Sequence, residues 1–447
     1  MGGFGCSSEE SAIDSLVPSH HHLRRGLAAT GSSPPHPMFI PQEILDEIID
    51  AIAGGPRAPA RPFRHRVLRD CSLVARSWTR RSQKHLFSSV SLTPENLDSW
   101  CRINTRNPDS LTHFVRILEV KQNDEPGMPK FEQGRMEAAL PYLNFPNLEE
   151  LVLLQWDNLA TFSLPQTFGH YSTPSLRSLT IIDSISNGDV LLELAAIFHS
   201  VDEFVIDCAY TTDERITRTF SFPDHIRWRT LRMVSIDDST MGVLNVIAGL
   251  RLQCQTLDIS YELLDDPGPI MRLIQACSQT LESMRLEQTY NGNPVPSLSL
   301  FQTNLRPVTE EPCPGITPSL LPELEELTLC SEDLAEDLGQ PDTLKLDVLG
   351  SAICPKLRKI IITHTDSTMS DDHTYDFDTG DWAKIDMFLV RLAEKTNSRL
   401  RVELQLLTPF NRHSMGMIDS ILPAFKKVGD FATVLTREGE RHYRSFR

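Results

Sequence analysis

At 447 residues, 40% hydrophobic and 23% charged, the chain has the make-up of an ordinary soluble globular protein with room for more than one domain. Its net charge of -17 is uneven: up to Glu95 there are 11 Lys and Arg against 9 Asp and Glu, or +2, so the remainder carries -19. An acidic body excludes general binding to nucleic acid or an anionic membrane, because phosphate attraction needs a basic face. Residues 1–37, rich in Gly, Ser, Pro and His, read as a disordered tail. His20, His21 and His22 stand there without a scaffold to fix a metal's geometry. MGGFGCSS misses the myristoylation pattern at Cys6, no signal peptide is evident, and no apolar run approaches the ~18 residues of a membrane span. Stable membrane association is therefore not expected. Nine scattered cysteines without a C-x-x-C pair read as reduced thiols of the cytoplasm or nucleus.

Residues 38–92 are predicted to form a helical domain of three short helices. FIPQEILDEIIDAI places Pro41 at a first helical turn and Ile44, Leu45, Ile48, Ile49 and Ile52 at three- and four-residue steps, one broad apolar band. A second amphipathic stretch carries Val67, Leu68, Cys71, Leu73, Val74 and Trp78, and a third His85, Leu86 and Phe87. Helices this short leave apolar surface to pack on something else. The IPQEIL opening, the CSLVARSW second helix and the HLFSSVSL exit resemble an F-box, of the type abundant in mushroom-forming fungi. The resemblance implies binding to a Skp-type adaptor, and through it to the cullin of a ubiquitin ligase. It assigns Pro41, Ile44, Leu45, Ile48 and Ile49 to the adaptor surface, with Val74 and Trp78 closing the helices onto one another. The stretch AGGPRAPARPFRHR, from Ala53 to Arg66, is longer than the usual link between the first two helices.

Residues 93–447 carry a repeat. After a helix from Thr93 towards Asn104, the spacing apolar–two–apolar–one–apolar recurs nine times: at Val115/Leu118/Val120, Leu148/Leu151/Leu153, Leu176/Leu179/Ile181, Val201/Phe204/Ile206, Leu231/Val234/Ile236, Cys254/Leu257/Ile259, Leu281/Met284/Leu286, Leu324/Leu327/Leu329 and Leu357/Ile360/Ile362. Period-two alternation makes each unit a short strand, and helical returns are predicted at Asp189–His199, Met241–Leu250, Pro269–Ser278 and Thr343–Cys354. The expected fold is α/β: a three-helix F-box followed by a leucine-rich-repeat-like solenoid of parallel strands and helices. Only Asn123 holds the asparagine position of such repeats; Trp156, Ser184 and others stand elsewhere, so the turns must satisfy their backbone in another way. Loop insertions fall at about 288–320, with six prolines, and 364–381, with six aspartates. Asp381 is expected to cap a helix running to Lys395. A strand at Arg401–Leu407, a helix at Met415–Lys427 and a basic tail complete the chain.

No nucleophile elbow, phosphate-binding glycine loop, dinucleotide fingerprint or zinc-binding H-E-x-x-H occurs. Neither catalytic residues, cofactor nor metal are assigned. Side chains between the core positions of each strand should face the concave side of a solenoid, giving Val152, Leu154, Thr180, Asp207, Asp237, Asp258, Arg285 and Glu287 as candidate substrate contacts. An apolar patch followed by carboxylates would suit a basic segment with an apolar anchor. The function expected is that of a substrate-recognition subunit of a Skp–cullin–F-box ligase, with an unread protein substrate. The alternative is a scaffold whose helices only cap the repeats.

Overall fold

The computed structural model describes residues 41–54, 61–106, 111–122, 129–156, 168–172, 176–186, 188–207, 210–211, 226–236, 240–261, 268–288, 321–331, 354–364, 379–396, 399–406 and 422–435. The predicted tail 1–37, the bulk of both loop insertions, most of the helix predicted at Thr343–Cys354 and Asp237 lie outside them.

The chain is α/β, built on one twelve-stranded parallel sheet whose strands follow each other in space as in sequence, with one small excursion. Its strands are β1 (Ser89–Leu92), β2 (Ile117–Lys121), β3 (Glu150–Leu154), β4 (Ser178–Ile182), β6 (Glu203–Asp207), β8 (Ile226–Ile236), β9 (Leu252–Tyr261), β10 (Ser283–Gln288), β11 (Glu326–Ser331), β12 (Lys359–His364), β13 (Arg401–Leu406) and β14 (Asp430–Leu435). Between them, β5 (Ile185–Ser186) and β7 (Tyr210–Thr211) form a separate parallel pair. Parallel neighbours cannot be joined by a hairpin, so each strand needs a crossover, several of them helical. The crossovers include α4 (Leu97–Arg106), α5 (Gln133–Ala139), α6 (Gly188–Ile197), α7 (Met241–Ala248), α8 (Gly268–Cys277) and α9 (Thr379–Lys395), with α10 (Phe425–Val428) before the last strand. This progressive order is solenoid-like.

The core lies on one face of the sheet. Leu151, Leu153, Leu179, Ile181, Phe204, Ile206, Leu257 and Ile259 join Leu194 of α6, Ile247 of α7 and Ile274 of α8 in a single buried cluster. Alternation explains the division, since residues two apart on a strand share a face. The intervening residues form the opposite face, called here the open face.

Two strands belong to the sheet beyond the nine repeats read in the sequence and the strand expected at Arg401. β1 pairs with β2 in register, Val90 opposite Leu118 and Leu92 opposite Val120, so the sheet begins inside the segment 38–92 that was assigned to helices alone. At the other end β14 pairs with β13, where a helix and tail were expected. Helix α9 starts at Thr379, two residues before the cap expected at Asp381.

One repeat was misregistered. Phe204 and Ile206 stand opposite Leu231 and Met233, which stand opposite Leu257 and Ile259. The unit is therefore Trp228/Leu231/Met233, three residues earlier than Leu231/Val234/Ile236. A bulge between Met233 and Ile236, with Ser235 at φ 54, then returns Ile236 to the core. Trp228 fills its place fully buried, stacked on Phe204 at 4.2 Å between ring centres. Its indole N–H donates to the Phe198 carbonyl at 2.9 Å.

The repeats end their strands without an asparagine ladder. Gln155, Asp183 and Ser235 follow registered positions of β3, β4 and β8, and all have positive φ, between 46 and 58. A left-handed residue turns the chain out of the strand while one more ladder bond forms, Gln155 N–H to Ile182 O and Asp183 N–H to Asp207 O. Trp156 and Ser184, at the missing asparagine positions, take over its role. The Ser184 hydroxyl accepts the Trp156 backbone N–H at 3.2 Å and donates to Ile182 O at 2.8 Å; the Trp156 indole donates to Val120 O at 2.9 Å.

Candidate functional site: a helical hairpin and the open face of the sheet

Ahead of the sheet lie α1 (Gln42–Gly54), α2 (Arg61–Val74) and α3 (Arg76–Leu86). The Ala53–Arg66 stretch read as a long link is largely helix, since α1 runs to Gly54 and α2 starts at Arg61. The Arg64 guanidinium donates to the Ala53 carbonyl at 2.9 Å, tying the two helices together. Asp50 of α1 is gripped by α3. Both of its oxygens accept from Arg81, one at 2.6 Å, and His85 Nε2 lies 2.7 Å from the same oxygen. Arg81 and His85 are one helical turn apart, so a single face of α3 meets Asp50.

The Arg81 hydrogen bond, reinforced by His85 against the opposing effect of burial, holds the Asp50 carboxyl down at about 2. Asp50 is 40% exposed, so solvent screens the pair and its contribution is small. Its sign is fixed: a carboxyl held below its unfolded value of about 3.9 stabilises above that pH and stops doing so as pH falls through about 2. Asp50→Asn should be less stable than the native chain at pH 6, and the gap should close between about pH 4 and pH 2 in circular-dichroism melts. A constant gap would show that the pair does not govern the helices' acid sensitivity.

The predicted adaptor residues do not all share one environment. Ile44 and Ile48 are 45% and 48% exposed, Pro41 is exposed and Leu45 half-buried, so these four lie along an accessible side of α1. Ile49 is only 1% exposed and turns inward, as does Leu68 of α2. Ile49 is thus a packing residue in the free chain. Val74 departs from expectation too: at 64% exposed it closes nothing, because α2 ends there and Leu73 beside it is more exposed still. Trp78 is half-buried. Although buried, Ile49 and Leu68 do not belong to the sheet's core cluster, which is joined only from Phe87 onward.

On the open face of the sheet the register aligns Glu119, Val152, Thr180, Val205, Arg232, Asp258, Arg285 and Thr328 across eight strands. Val152 and Thr180 are 3% and 2% exposed, too deep to form the apolar contact surface expected of them. Leu154, Val205 and Asp207 are half-buried and reachable. The carboxylates of the middle strands are engaged internally. Asp258 stands between Arg232 and Arg285, with nitrogen–oxygen distances of 3.4 and 3.7 Å, and Arg285 also meets Glu287 at 2.8 Å. Burial pushes the Asp258 carboxyl up, against the opposite pull of Arg285 and Arg232. A basic segment would have to displace these arginines, so the surface is a mixed, internally neutral one. Arg232 escaped the sequence reading because the misregistered repeat placed Ser235 and Asp237 in its stead; the Trp at 228, three residues before Leu231, was the available signal.

No group of three metal-ligating side chains occurs among the described residues, and none of their helices is long and apolar enough to cross a membrane. No protein-family model matches the chain, and no curated protein matches it in sequence. The class that the fold itself defines is an α/β protein with a solenoid-like parallel sheet and a helical hairpin ahead of it.

Proposed function

We propose that the chain is the substrate-recognition subunit of a Skp–cullin–F-box ubiquitin ligase. In this reading α1 to α3 are the F-box, the sheet and its helices are degenerate leucine-rich repeats, and the sheet holds a protein substrate. The observation that carries the reading is the accessible apolar side of α1. Pro41, Ile44 and Ile48 stay exposed although a large core lies close by in the same chain, and the buried residues of the hairpin keep apart from that core. Apolar residues exposed together on one helix mark a surface that another protein covers. The IPQEIL, CSLVARSW and HLFSSVSL segments give that protein its identity through their likeness to an F-box.

The chain's own mechanism would then be positional. Holding a substrate beside a charged ubiquitin carrier raises the effective concentration of the attacking lysine, and the bond-making residues belong to the partners. On the open face, Leu154, Val205, Asp207, Arg232 and Thr328 are among the residues that a substrate could reach. Co-expression with a Skp-type adaptor should yield a one-to-one complex on gel filtration. Separate elution of two folded proteins at micromolar concentration would contradict the assignment.

A further inference from the structure

The third helix carries a feature that adaptor binding leaves unused. Its sequence, RSWTRRSQKHL, contains no acidic residue, in a protein whose net charge is -17. Arg81 and His85 are taken up by Asp50, but Arg76, Arg80 and Lys84 have no carboxylate partner among the described residues. They stand four residues apart, so they form a straight stripe with steps of about 6 Å along the helix. Beside the stripe lies a hollow of about 470 Å³ between α1, α3 and the short turn Thr112–Phe114. Arg80, Arg81, Lys84, Ser77, Asp46 and Phe114 line it, so beside the Arg81 that Asp50 already holds, two uncommitted cations, Arg80 and Lys84, face the carboxylate of Asp46. Asp46 is itself partly satisfied, accepting from Gln42 Nε2 at 2.8 Å.

On the α1 helix, Gln42, Asp46 and Asp50 share the side towards α3, whereas Ile44 and Ile48 lie on the far side. The cationic hollow and the exposed apolar residues are therefore two separate surfaces. We propose that the α3 stripe and its hollow form a docking site for an acidic, carboxylate-rich peptide segment of a partner protein. The inference does not rest on the adaptor reading.

Charge complementarity and spacing choose this occupant. Alternate side chains of an extended peptide recur every 6.4–6.8 Å or so, close to the steps between Arg76, Arg80 and Lys84. A segment with acidic residues at alternate positions can therefore meet all three cations, with Phe114 as an apolar floor for a residue between them. A nucleic acid or an anionic membrane would present its charge over a much wider area. The -19 carried by the chain beyond Glu95 would repel it.

The test is fluorescence anisotropy of the full-length chain with a fluorescein-labelled peptide of alternating Glu and Leu, in 50 mM and 300 mM salt. Binding should weaken at the higher salt, and the double variant R80E/K84E should weaken it by about tenfold or more. The pair R227E/R229E, in a second polar hollow of about 510 Å³ at the starts of β8 and β9, serves as control and should leave binding unchanged. Thermal melts check that each variant is folded. Equal binding by R80E/K84E, or no binding by the native chain at low salt, overturns the site. Stronger competition by a short RNA duplex than by unlabelled peptide overturns the choice of ligand. A lysine at Leu45 should not alter peptide binding, so failure of the adaptor reading and failure of this site give different results.

Discussion

Replacing Trp228 with alanine is expected to cost about 3–5 kcal/mol, the largest loss from any single truncation among the middle repeats. The indole is fully buried, and its removal leaves a cavity against Phe204, the ring that it stacks on at 4.2 Å. It also strips the Phe198 carbonyl of its donor, an acceptor that packing keeps from water. Trp228→Phe separates the two effects: the ring remains, the hydrogen bond is lost, and the cost should fall to about 1–2 kcal/mol. Urea denaturation followed by tryptophan-independent circular dichroism measures both. In a protein whose strands contact mainly their neighbours, the alanine variant should unfold the middle repeats at lower urea than the ends, broadening the transition. A loss below 1 kcal/mol for Trp228→Ala would place the indole outside the core.

The second large effect concerns binding rather than stability. Lysines at both Ile44 and Ile48 should reduce co-purification of a Skp-type adaptor to background. The melting temperature of the chain alone should barely move, since substitutions at sites this exposed usually change stability by less than about 0.5 kcal/mol. Burying two lysine ammonium groups against an apolar partner surface is what makes the binding loss severe. If the helices only capped the repeats, the order of effects would invert: adaptor binding would be absent from the start, and the lysines would destabilise the fold by several kcal/mol.

Much of this architecture could be read in the sequence because parallel strands with one buried face write a period of two, and their helical returns a period near 3.6. Eight of the nine repeats predicted from that spacing fall in register. The ninth failed for a physical reason. Around Leu231 the chain offers apolar residues at 228, 231, 233, 234 and 236, which fit two registers, and a local pattern cannot choose between them. The structure settles it with a bulge at Ser235, whose left-handed backbone lets both Met233 and Ile236 reach the core. Even spacing held the answer, since Trp228/Leu231/Met233 puts Leu231 27 residues after Phe204 and 26 before Leu257.

The outer strands were harder. β1 is four residues long and was absorbed into the preceding helices, whereas β14 follows a short turn of helix and carries only Phe431, Ala432, Val434 and Leu435 as apolar residues. Its approach is tight: a side-chain carbon at Gly429 would fall within 2.8 Å of the Leu400 carbonyl and closer still to the Phe425 ring. That contact between distant residues leaves no local pattern.

Candidate site residues were legible only in part, because facing a surface and being reachable on it are different properties. Val152 and Thr180 sit on the open face and yet are covered, and Asp258 is reachable but engaged by two arginines that its own strand does not contain. Sequence alternation gives the face; the neighbours that occupy it come from strands about 26 residues away. The exposed isoleucines of α1 were read more directly, since one helix carries the whole stripe.

The most direct test of the central proposal is affinity purification of the full-length chain from its native cell, with the bound proteins identified by mass spectrometry. A Skp-type adaptor and a cullin should be recovered in amounts comparable to the chain, and both should be lost when Ile44 and Ile48 are lysines. Recovery of the folded chain without either protein would contradict the assignment.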